Sequence, residues 1–122
     1  RKSAHPNEYR RDQAQQTFEH YEGYTRRAQE ELGDYRELSA YLLDAPEGVL
    51  KRLAEGRIAE VSNSLYRRTI GETPPTPTQV EAELALRLDI EQERLAKARV
   101  ELEAAEEALS GLVRALSGLV GA

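Results

Sequence analysis

The chain has 122 residues, 32% charged and 39% hydrophobic, with a net charge of −5. That length makes one domain of two or three helices, and the net charge argues against a basic nucleic-acid module. The absence of cysteine excludes a disulfide framework and a thiolate metal site, and one phenylalanine with no tryptophan leaves few bulky groups for a thick core.

Ala, Glu, Leu and Arg dominate, the balance of a long-helix or coiled-coil protein. No methionine occurs, even at position 1, so the chain reads as a processed product, a trimmed form or a fragment. No apolar run approaches the roughly 20 residues that span a bilayer, so no transmembrane segment is expected and the chain should be soluble.

Residues 1–6 read as a flexible arm ending in Pro6, and a single helical domain is expected over 7–122. The first helix is predicted over about 7–43, with Asn7 as its N-cap. Ala14, Phe18, Tyr21, Thr25, Ala28, Leu32, Tyr35, Ser39 and Leu42 step by fours and threes, which places them on one face. Gly33, followed by Asp34 and Glu37, has the chemistry of a helix end and restart. The apolar phase continues through it, so a kink is expected there rather than a break.

Asp44-Ala45-Pro46-Glu47 resembles a capping box with proline in the first turn, and predicts a second helix over about 45–70. Its buried side would carry Leu50, Leu53, Ile58, Val61 and Leu65. The linker 71–76 contains Pro74 and Pro75, and Thr76-Pro77-Thr78-Gln79 then starts a third helix. In that start Thr76 is the N-cap, Pro77 occupies N1 and Gln79 occupies N3.

The third helix is predicted over about 77–120. Its seam runs Leu84, Leu88, Glu91, Leu95, Ala98, Leu102, Ala105, Leu109, Leu112, Leu116, Leu119, again in steps of four and three. Near its end the heptad Ala108-Leu109-Ser110-Gly111-Leu112-Val113-Arg114 is followed by Ala115-Leu116-Ser117-Gly118-Leu119-Val120. At 1.5 Å per residue the third helix is roughly 65 Å long and the second roughly 37 Å. The second helix alone is too short to cover this seam, so the first helix or a neighbouring subunit must contribute. The small residues at 110, 111, 117 and 118 suit close approach of another helix. A membrane-surface role is the weaker alternative, because Arg114 is the one basic residue nearby. Glu91, the charged member of the seam, needs a partner if buried, and an Arg from another helix is expected.

Catalytic chemistry finds little footing. His5 and His20 lack the Glu-x-x-His spacing of a carboxylate-bridged metal site, and no strand precedes a glycine-rich phosphate loop. No cofactor, no metal and no enzyme activity are expected. Tyr24 with Arg26 and Arg27, and Tyr66 with Arg67 and Arg68, form a Tyr/Arg surface suited to a protein partner. Nucleic acid is the less favoured partner for it. Residues 1–79 carry 12 Lys and Arg against 13 Asp and Glu, so no basic field exists there.

The sequence therefore predicts an all-α fold: an elongated antiparallel bundle or coiled coil of three helices that forms a homo-oligomer or joins a larger assembly. The expected role is a structural, scaffold or adaptor subunit working through helix–helix contacts with itself or other helical proteins. A virion or secretion-apparatus component would fit. The rivals are a nucleic-acid-associated helical protein and an extracytoplasmic holding chaperone.

Overall fold

The computed structural model describes residues 5–69 and 73–121, and for 66–69 and 121 the backbone alone. The fold is an all-α bundle of three helices: α1 (Pro6–Leu42), α2 (Val49–Thr69) and α3 (Pro77–Gly121). Most of the arm read as flexible, residues 1–4, lies outside the described residues, as do 70–72 of the linker.

Helix starts follow local chemistry. At α1 the cap is His5, two residues earlier than the Asn7 expected: the Asn7 N–H donates to His5 Nδ1 at 3.0 Å and the Tyr9 N–H to the His5 carbonyl at 3.1 Å. Pro6 then sits at N1, where its missing N–H costs nothing. The helix runs unbroken through Gly33 to Leu42, so Asp34 lies within a helix and caps nothing.

Helix α2 begins at Val49, later than the capping-box pattern at Asp44 suggests. Gly48 explains the delay. Its φ of 155° lies outside the helical region, in backbone that side chains rarely adopt, and its carbonyl accepts the Arg52 N–H at 3.2 Å. At α3 the capping box forms: the Gln79 N–H donates to Thr76 Oγ1 at 3.2 Å, and the Thr76 N–H to Gln79 Oε1 at 2.8 Å.

The chain divides into two compact units. One is continuous, Arg26–Ile90; the other is discontinuous, Arg1–Thr25 with Glu91–Ala122. The continuous unit packs the second half of α1, all of α2 and the start of α3 around Leu32, Tyr35, Leu65, Val80 and Leu84. Val80 and Leu84 are each only 1% exposed, and Ile58, Val61, Ala85 and Leu88 close over the cluster. Full burial of a leucine contributes about 1.5–3 kcal/mol, so this cluster is the main source of stability in the unit. Glu31 accepts from Arg87 at 3.0 Å beside it, and Arg36 pairs with Glu81.

Leu50 and Leu53 depart from the sequence pattern. They are 64% and 65% exposed, so α2 seals the core with Ala54, Ile58, Val61 and Leu65 and leaves the start of its apolar face to solvent.

The discontinuous unit is a two-helix antiparallel pair. Thr25 faces Glu91 and Phe18 faces Arg99, so position along α1 rises as position along α3 falls. Its buried positions are Thr25, Glu91, Ala98, Leu102 and Ala105. Small side chains let two helices approach closely here without a thick core between them.

Candidate interaction surface

The α3 seam is sealed in stages. In the continuous unit Leu84 is buried and Leu88 half-buried. In the discontinuous unit Glu91, Ala98, Leu102 and Ala105 are buried, and Leu95, Leu109 and Leu112 are half-buried. Beyond that Leu116 is 53% exposed, Leu119 78% and Val120 88%. Helix α1 starts at Pro6, and before it only His5 is described. Among the described residues the uncovered stretch is the last two turns, Val113–Val120, a much shorter ridge than the sequence alone suggests.

Glu91 is satisfied locally. Its carboxylate accepts from Arg94 on its own helix at 3.0 Å, rather than from an arginine on another helix, and Thr25 Oγ1 donates to its main-chain carbonyl at 3.2 Å. The hydroxyl and the carbonyl tie α1 to α3 at one register. Among the described residues no buried side-chain nitrogen or oxygen lacks a partner.

Open grooves flank these helices in both units; a polar one of about 390 Å³ between Glu31, Arg57, Glu60 and Arg87 lies in the continuous unit, and a more apolar groove stands out in each unit. In the continuous unit a groove of about 490 Å³ is lined by Leu38, Tyr41, Leu50, Leu53 and Ala54 together with Asp34, Glu37 and Arg57. In the discontinuous unit a groove of about 360 Å³ is lined by Arg10, Gln13, Ala14, Thr17 and Tyr21 of α1 and by Arg94, Lys97, Ala98 and Glu101 of α3. Neither of these two grooves is visible in the sequence, because each forms only where two helices meet. The nearest sequence signal was the half-buried Tyr21.

The Tyr/Arg surface is described only in part. Tyr24, Arg26 and Arg27 are exposed, and the Tyr24 ring meets Tyr21 edge-on with centroids 6.0 Å apart and His20 at 6.2 Å. The side chains of Tyr66, Arg67 and Arg68 lie outside the described residues. Burial raises the Tyr35 phenol above its ordinary value; a Ser39 hydrogen bond opposes the shift and the Glu81 charge adds to it. Tyr35 belongs to the core cluster and faces neither groove.

Among the described residues no cluster of three His, Cys, Asp or Glu is placed to hold a metal, and no helix is long and apolar enough to cross a membrane. Compared with family models, with curated proteins and with solved structures, the chain shows no match.

Proposed function

We propose that this protein is an assembly or adaptor subunit whose work is done by helix–helix contacts. The observation that carries the reading is the end of α3, where Leu116, Leu119 and Val120 stand exposed on two helical turns that no other described element covers. Apolar side chains arranged on one helix face lose free energy in water, and another helix is the partner that matches their spacing. The exposed Leu50 and Leu53 give the continuous unit a second surface of the same kind. Nucleic-acid binding draws no comparable support, since Arg26 and Arg27 are set in a chain of net charge −5.

Mass in solution tests the proposal. Light scattering over a wide concentration range should give a mass above the monomer. The double variant Leu116→Glu with Leu119→Glu should return it to the monomer while helix content by circular dichroism stays unchanged. A monomer at high micromolar concentration, indifferent to both substitutions and recovering no partner, would overturn the reading.

A further inference from the structure

We infer that the groove of the discontinuous unit seats the end of α3 from a second copy of this chain, in a two-fold antiparallel pair. This builds on the assembly reading above and gives it a partner and a register.

The groove has the form of a helix seat. In the continuous unit α2 lies against Glu31, Asp34 and Leu38 of α1, and its Leu65 shares the core with Val80 and Leu84 of α3. Three heptads earlier on α1, at the same phase, stand Arg10, Gln13 and Thr17, which line the open groove. Along α3, two and three heptads beyond Leu84 and Val80, stand Ala98 and Glu101, which line it too. The heptad face that carries a third helix in one unit is left open among the described residues of the other.

The end of α3 fits that seat. Ala104, Ala108, Gly111, Ala115 and Gly118 follow the steps of four and three on the α3 face that carries Lys97 and Glu101. Nothing among the described residues requires the two glycines. A Cβ at Gly118 would meet nothing within 4 Å, and one at Gly111 would meet only the tip of Arg114 at 3.8 Å. A glycine inside a helix costs about 1 kcal/mol against alanine, and close approach of a second backbone would account for both.

One register aligns the groove with its occupant. With Ala108 beside Ala108 of the second copy, Ala104 meets Gly111 of the second copy and the Lys97 stem crosses Gly118 of the second copy. Leu112 and Leu119 of the second copy then come to the levels of Ala14 and Tyr21. Charges agree with this placement. The last turn of α3 has no basic residue of its own, and Arg94 and Lys97 supply positive charge to its carbonyl end. Glu101 comes level with Arg114 of the second copy, and both are exposed in the single chain.

The paired length favours this arrangement over tail against tail. Residues 94–121 overlap over about 40 Å, with one seat filled in each direction. Pairing the exposed tips alone would engage two turns per chain, well below the roughly 800 Å² per partner of a stable interface.

The chain has no cysteine, so single cysteines report the register directly. Under mild oxidation of the full chain, Ala108→Cys should give a covalent dimer. Gly118→Cys alone should not, whereas Lys97→Cys combined with Gly118→Cys should. Ser110→Cys, on the opposite side of α3, serves as the unreactive control. Gly118→Leu should raise helix content yet weaken association about tenfold or more, a combination that a purely internal role for Gly118 would not produce. Glu101→Arg should weaken it about threefold to tenfold, and adding Arg114→Glu should restore it.

Self-crosslinking of Gly118→Cys would mean a parallel pair and overturn the inference. An oligomer by light scattering without an Ala108→Cys crosslink would overturn it too, while leaving the assembly reading intact. A monomer at every concentration would remove both.

Discussion

The continuous and discontinuous units use the same two helices in opposite ways. Around Leu84 three helices enclose Leu, Val and Tyr side chains, and the core gains its stability from apolar volume. In the discontinuous unit two helices meet over Thr25, Glu91, Ala98, Leu102 and Ala105, with one leucine among small and polar side chains, and the unit depends on close approach and register. A two-helix pair has no third layer to exclude water from its flanks. The difference teaches that residues 26–90 enclose the larger apolar core, while the two-helix pair leaves its flanks open to water.

The sharpest way to break this comparison is to hollow out each unit in turn. Leu84→Ala should cost about 2–5 kcal/mol in chemical denaturation, the range for a fully buried leucine whose neighbours cannot collapse. Leu102→Ala should cost clearly less, because its buried neighbours on α3 are alanines. Equal losses would mean that the units share one core quality and would remove the contrast.

Overfilling probes the alanine side. Ala105 is fully buried at 0% exposure, so Ala105→Leu should separate α1 from α3 and cost about 1–3 kcal/mol by calorimetry. A neutral result would show the two-helix contact to be loose rather than close.

Smaller effects sharpen the account of the continuous unit. Thr76→Ala should cost about 1 kcal/mol in unfolding free energy by chemical denaturation, since it removes the acceptor for the Gln79 N–H at the start of α3. Tyr35 should make stability sensitive to alkali. Its phenol is raised in the fold, so the neutral form is favoured there. The resulting stabilisation is fully present below the ordinary phenol value near 10 and is lost as pH climbs through the higher folded value. Denaturation midpoints measured across that window should fall for the native chain and fall less for Tyr35→Phe.

Much of the fold was legible in the sequence because its signals are local. Thr76, Pro77 and Gln79 specify a helix start within one turn, and the steps of four and three from Leu84 onward identify a face without reference to anything distant. What periodicity does not specify is the neighbour. Leu50 and Leu53 share the pattern of Ile58 and Val61, yet only the later turns of α2 reach the core. Glu91 was recognisable as a seam charge, but its partner three residues along the same helix competes with any cross-helix arginine, and the nearer group prevails. The grooves were not legible at all, since each depends on which flank of α1 meets which flank of α3.

The order of the segments along the chain has a kinetic consequence. Arg36 meets Glu81 across 45 residues, whereas Thr25 meets Glu91 across 66, so one unit is nested within the loop that the other must close. Loop-closure entropy grows with the length enclosed, and forming residues 26–90 first shortens the remaining search. On a ribosome the nested unit has all its helices once Ile90 has emerged from the exit tunnel. The flanking pair waits for most of the remaining chain, and zips shut last.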